Sequence, residues 1–299
     1  MMHTEEKTGK VRILVTGAAG RTGLAVINAL RRKDPRVFIR AFAHREDQFK
    51  ALKECGADEA IAGDMLRPGD VCRAMDGVDA VYHICSTANE FEYEAGENVY
   101  SAAVRAGACR FVYHSVLHSL LSELPHHEKK HRVETVIARG ELPYVILQPA
   151  ALMQNLLNAK EMVLAEGVLM QRFFSGEDVR MNLVDLDDVA EAATLVLTGS
   201  GYDYGTYELC GPQNLSEKDI LSAFEKVTGR RIVSRFIPDE VFAEQMSRQG
   251  RSAYYTDTLL TMFSHYQRHG FMGSPAQLGS LLGRKPSDLE DFLGREIRK

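Results

Sequence analysis

The chain has 299 residues, 45% hydrophobic and 26% charged, a balance ordinary for a globular protein of one large domain or a large domain plus a smaller one. A chain of this length buries most of its unfolded surface and needs no disulfide or metal to stay folded. The formal net charge of −5 argues against nucleic acid as the main partner, since phosphate binding is driven by Lys and Arg.

Residues 11–16 (VRILVT) read as a short buried strand, followed by a glycine-rich turn and a helix from Arg21 to Arg32. A strand over 36–43 and a helix over 46–55 come next, then strands at 58–62 and 79–85. A helix over 94–106, a strand at 110–115, a helix over 127–140 and a strand at 143–148 complete the first half. Strands alternating with helices predict βαβ units, so the fold class is α/β, a doubly wound parallel sheet with right-handed crossovers. The expected division is a dinucleotide-binding domain over 11–150 and a smaller mixed α/β substrate region over 151–299, with some chain returning to the first sheet. In that second part 216–228, 239–248 and 253–269 read as helices, and 206–210 and 231–236 as short strands. The region is expected over the carboxyl ends of the strands, where open α/β sheets bind ligands.

The five cysteines, Cys55, Cys72, Cys85, Cys109 and Cys210, form no Cys-x-x-Cys pair and suit a reducing cytosol. The N-terminal MMHTEEKTGK reads as no secretory signal, and no run of ~18 apolar residues reads as a membrane span, so a cytoplasmic location is expected.

Gly17-Ala-Ala-Gly20-Arg21-Thr22-Gly23 follows the first strand and opens the first helix. Gly17 takes the turn, Gly20 lets backbone approach a pyrophosphate, and Gly23 lets helix and strand pack closely. The helix N-terminus adds free N–H groups and a positive dipole for phosphates. The second strand ends at Ala43-His44-Arg45, where an NAD-preferring site carries Asp or Glu. Arg45, with Arg21 in the glycine loop, instead suits a 2′-phosphate, so the expected cofactor is NADP(H); two solvated arginines are the plainer alternative. Asp64 and Met65 after the third strand fit an adenine contact, and Cys85 and Ser86 after the fourth fit the ribose.

The segments V-T-G-A-A-G-R-T-G at 15–23, A-G-D-M at 62–65 and N-V-Y-S-A-A-V-R-A-G-A-C-R-F-V-Y-H-S at 98–115 now stand together. With K-H-R-V-E at 130–134, L-P-Y-V-I-L-Q-P at 142–149, Asn155 and Y-E-L-C-G-P-Q-N-L-S at 207–216, the chain resembles the NmrA-like, atypical short-chain dehydrogenase/reductase family over about 11–235. The resemblance implies a Rossmann fold and either of two functions. One is an NADP(H)-dependent reductase of a small apolar conjugated carbonyl or quinone. The other is a non-catalytic nucleotide-binding redox sensor acting through a regulatory protein partner; a homodimer is a further expectation of the same kind.

The resemblance also places Ser115 at the family's serine and Lys130 at its lysine. The family's tyrosine, four residues before the lysine, is His126 here. Reducing a simple ketone needs a proton donor at the oxygen. His126 is a candidate donor near neutral pH, although Pro125 suggests a loop there. Lys130 is a candidate for holding the nicotinamide ribose or stabilising an enolate, which favours quinone or enone substrates; a solvated helix face within the basic run 126–132 is the alternative. For Ser115 the alternative is a purely structural hydroxyl. His127-Glu-Lys-Lys-His131 matches the zincin spelling His-Glu-x-x-His, but two lysines between the ligands and the surrounding nucleotide motif speak against zinc, and no metal is expected. Of Asp185, Asp187 and Asp188, Asp187 or Asp188 is expected to cap the following helix, a paired-carboxylate acid/base site being the alternative. Met153, Phe173 and Phe174 are expected either in an apolar pocket or in the core.

Overall fold

A computed structural model describes residues 10–174, 176 and 178–297. In chain order β1 (Arg12–Val15) leads to α1 (Arg21–Lys33) and β2 (Phe38–Ala43), and a 3-10 turn (Glu46–Gln48) leads to α2 (Phe49–Cys55) and β3 (Glu59–Ala62). Next come α3 (Pro68–Met75), β4 (Ala80–His83), α4 (Glu92–Ala106), β5 (Arg110–His114), α5 (Pro125–Ala138) and β6 (Tyr144–Pro149). Beyond β6 lie β7 (Ala151–Leu152), a 3-10 segment (Met153–Ala159), α6 (Lys160–Glu166), β8 (Val168–Gln171), β9 (Met181–Val184) and α7 (Leu186–Thr198). The chain continues with β10 (Gly205–Leu209), β11 (Asn214–Leu215), α8 (Glu217–Thr228), β12 (Val233–Phe236) and α9 (Asp239–Arg248). The last helices are α10 (Ala253–His269), α11 (Ala276–Leu282) and α12 (Leu289–Ile297).

The main sheet runs β3-β2-β1-β4-β5-β6-β10, with every neighbour pair parallel. Strand order reverses between β1 and β4, the switch point at which such sheets open a ligand crevice. Ile13, Leu14 and Val15 are fully buried, as a parallel strand covered on both faces requires. One face packs on α1 and α7 through Val26, Ile27, Val189 and Val196, the other on α3, α4 and α5 through Val71, Val99 and Val133. The segment expected at 206–210 is β10, which pairs with β6 and forms the edge of the main sheet. A parallel partner needs a crossover, and α7 supplies it. The three-stranded sheet β11-β9-β7 starts directly beyond the carboxyl end of β6.

Several local expectations change. Pro125 is the first residue of α5 rather than a loop residue, because proline suits the first helical position, and His126 therefore sits in a helical turn. The same preference starts α3 at Pro68, a helix absent from the sequence reading. The helix expected over 46–55 is a 3-10 turn followed by α2. The cap of α7 is Asp185, whose carboxylate accepts from Asp187 N at 3.1 Å. Asp188 is occupied elsewhere: its buried carboxylate accepts from Arg284 Nη2 at 2.7 Å and Ser287 N at 2.6 Å. Met153 and Phe174 lie in the core, and Phe173 packs edge-on to Phe263 at 5.4 Å. Among the described residues no helix is long and apolar enough to cross a membrane.

Candidate active site and nucleotide cleft

The glycine loop joins β1 to α1 at the switch point. Gly17 has φ +55°, and a Cβ there would lie 2.5 Å from Ile84 O. A Cβ on Gly23 would lie 2.6 Å from both Ala18 O and Gly17 O, so only glycine lets α1 seat against the loop. At exposed Gly20 a Cβ would meet only Gly17 O, at 3.3 Å, and would project into open space over the helix end. The Gly20 cap has no side-chain hydrogen bond, the first turn holds no acid, and Arg21 N, Thr22 N and Gly23 N find no acceptor among the described residues. Free amides, a positive helix end and a cradle a side chain would fill suit an anionic diphosphate.

Around this loop the predicted contacts are distributed as follows. Arg45 is well exposed at the end of β2, with Nε 3.1 Å from Asp47 Oδ1. Arg21 Nη1 lies 3.5 Å from Asn155 Oδ1, so the two arginines are tied to different partners. Asp64 Oδ1 accepts from Leu66 N at 2.9 Å, shaping the turn into α3, and Met65 O accepts from Asn98 Nδ2 at 3.1 Å. Cys85 is buried, its Sγ accepts from Asn89 Nδ2 at 2.9 Å, and burial pushes its thiol up to about 12; Ser86 beside it is exposed.

Lys130 is not on a solvated face. It is 3% exposed, and its Nζ donates to Glu92 Oε1 at 3.0 Å and to the His114 carbonyl at 3.0 Å. The Tyr113 ring lies 5.1 Å from the ammonium, and the Tyr113 hydroxyl donates to the same Glu92 oxygen at 2.8 Å. The site is thus a buried cation and its counter-ion at the carboxyl end of β5, joining α4, β5 and α5.

The histidines around it are held neutral. Burial, with a smaller contribution from the Lys130 charge, holds His83 and His114 at about 3, and pushes His126 well below the usual histidine range. His126, the candidate proton donor of the sequence reading, thus sits where burial disfavours its imidazolium. Ser115 donates to Glu134 Oε1 at 2.5 Å, and Glu134 also accepts from Ser119 at 2.7 Å and Gln148 at 2.8 Å. That network spends the Ser115 proton on structure. In the zincin-like stretch, His127 Nδ1 donates to His118 O at 2.9 Å and Nε2 accepts from the Tyr266 hydroxyl at 2.7 Å, so both its nitrogens are engaged within the protein. The C-terminal region closes over this end of the sheet: Tyr266 and Tyr254 come from α10, the Tyr254 ring lying 5.7 Å from Lys129 Nζ. His118 adopts φ +57°, and its Nε2 is 2.7 Å from Met272 O.

Sequence reasoning missed Glu92, Tyr113, His83, His114 and Glu134 as members of the site. Tyr113 and His114 had one signal, their position in the strand directly before Ser115; Glu134 stood in the quoted K-H-R-V-E segment without a role.

With this geometry in place, comparisons with known proteins fall into line. The curated (4-alkanoyl-5-oxo-2,5-dihydrofuran-3-yl)methyl phosphate reductase of Streptomyces griseus is 28% identical over 224 residues, 73% of this chain and 74% of that protein. A photosystem II assembly factor of Synechocystis is 23% identical over 308 residues, covering 97% and 93%. The crystal structure of the NADPH-dependent quinone oxidoreductase of Escherichia coli complexed with NADPH superposes with a TM-score of 0.81 at 23% identity, covering 95% and 99%. The NmrA-like family profile matches residues 9–293, and the chain belongs to that family.

Proposed function

We propose that the protein is an NADP(H)-dependent reductase of a small apolar conjugated carbonyl or quinone. The observation that carries this reading is the buried Lys130 ammonium, which has one N–H left after Glu92 and His114 O and has His126, not tyrosine, four residues before it. The similarity to a furanone phosphate reductase and to a quinone oxidoreductase supports the reductase class. Gly17, Gly20, Arg21, Thr22 and Gly23 would hold the diphosphate, and Arg45 the 2′-phosphate. Asp64, Met65, Cys85 and Ser86 would border the adenosine and ribose.

A bound reduced nicotinamide supplies hydride. Lys130 then faces the negative charge that develops on the acceptor, and a fixed cation in a water-poor site acts strongly on such charge. A quinone or enone spreads that charge over its conjugated oxygen, so a strong acid is not needed at the moment of transfer. That matches a site whose histidines are neutral and whose serine proton is committed to Glu134. The final proton comes from solvent, and His126 only lines the site.

The experiment is a panel of quinones, enones and simple ketones, with NADPH or NADH, followed at the absorbance of the reduced nicotinamide. NADPH consumed by conjugated acceptors and not by simple ketones is the expected result. Tight NADPH binding with no oxidation by any acceptor would support the sensor instead.

A further inference from the structure

Glu92 is the first residue of α4 and is fully buried. Its Oε1 receives two hydrogens, from Lys130 and Tyr113, while its Oε2 is buried without a partner. A carboxylate so placed is expensive to desolvate, and an apolar pair would pack the same space at lower cost. Nor does the surrounding structure supply another negative charge for Lys130. His83, His114 and His126 are neutral, the thiol of Cys85 and the phenol of Tyr113 are pushed up by burial, and Glu134 is spent on Ser115, Ser119 and Gln148.

We propose that Glu92 is a positioning residue for Lys130, fixing two of the three ammonium N–H bonds together with the His114 carbonyl and leaving the third for the ligand in the cleft. The inference rests on the reductase reading and deepens it. A lysine carries its charge on a flexible four-carbon stem, so its use in charge stabilisation depends on what pins it. The pin here is rigid. Tyr113 holds Oε1 from a central strand, and Glu92 opens a helix packed against α3, α5 and β4. The geometry accounts for a charge pair where packing alone prefers none. It also assigns the site's catalytic orientation to a residue in a run of otherwise surface acids.

The test uses full-length protein with 15N-labelled lysines and reads the ammonium resonances by NMR, alongside kcat and the NADPH Kd taken from nicotinamide fluorescence. A pinned, buried ammonium exchanges slowly with water and gives a resonance that Lys130→Met removes, which assigns it. Glu92→Gln should abolish that resonance and lower kcat at least tenfold while changing Kd less than threefold. The double variant Glu92→Gln with Lys130→Met should be no slower than Lys130→Met alone. A resonance and kcat unchanged in Glu92→Gln, or losses that multiply in the double variant, would overturn the proposal. If Glu92→Gln does not fold, Glu92→Asp draws the carboxylate back by one methylene. A shifted resonance and a several-fold lower kcat are then expected, and wild-type values of both would overturn it. Should none of the acceptors be reduced by NADPH with the unmodified protein, the reductase reading fails, and the resonance alone still decides whether Glu92 pins Lys130.

Discussion

Acid should unfold this protein well before its carboxylates titrate, because its histidines are buried neutral. His83 and His114 are held at about 3 and His127 at about 4 in the folded state, each mainly by burial, against the ordinary histidine value of 6.5. The folded pKa is depressed, so the unfolded chain binds protons that the folded chain refuses whenever the pH lies between the two values. Stability is therefore full above about pH 7 and falls as the pH drops through 6.5 toward 4. Between pH 7.5 and 5.5 each such histidine removes ~1.4 kcal/mol, so the three together remove on the order of 4 kcal/mol. That is a large fraction of the ~5–15 kcal/mol that ordinary domains possess. Buried His126, also pushed well below the usual range, adds to this, so urea titrations at pH 7.5, 6.5 and 5.5 should show the midpoint falling steadily, with His114→Gln losing about a quarter of the pH slope while remaining able to bond the Tyr82 hydroxyl. A midpoint independent of pH over that range, or a slope untouched in His114→Gln, would refute the reasoning.

The remaining predictions concern the site. Gly23→Ala should abolish measurable NADPH binding or the fold itself, since its Cβ would sit 2.6 Å from two backbone oxygens; equilibrium dialysis against NADPH, with circular dichroism for the fold, decides it. The unmodified protein should prefer NADPH to NADH at least tenfold, worth ~1.4 kcal/mol, and Arg45→Asp should erase or invert the preference in the same binding assay. Ser115→Ala leaves buried Glu134 short of a donor, so urea unfolding should show a loss of ~1–3 kcal/mol, with a smaller effect on turnover than any change at Lys130.

How far the site was legible follows from how local each constraint is. Gly17, Gly20 and Gly23 were readable because a glycine's role in a tight strand-to-helix turn is decided within a few residues. The alternation of strands and helices likewise located the parallel sheet through β6. β10 was not readable as its edge strand, because membership depends on a crossover through α7 that periodicity does not encode. Lys130 was reached only through resemblance, since its own neighbours, His126 to Arg132, look like a solvated basic face. Glu92 was hidden for the mirror reason: Glu90, Glu94 and Glu97 around it are exposed, and no feature of that acidic run says which member turns inward. The neutrality of His126 depends on burial by residues far away in sequence, so its chemistry could not be judged from its motif.

The central claim is that a buried, pinned Lys130 carries the charge of hydride transfer to a conjugated acceptor. Its most direct test is single-turnover stopped flow: the protein saturated with NADPH is mixed with a reactive quinone, and the decay of nicotinamide absorbance is compared between the unmodified protein and Lys130→Met. The account predicts a decay slowed on the order of a hundredfold or more in Lys130→Met, with NADPH affinity changed far less. A transfer rate equal in the two proteins at saturating NADPH would contradict it.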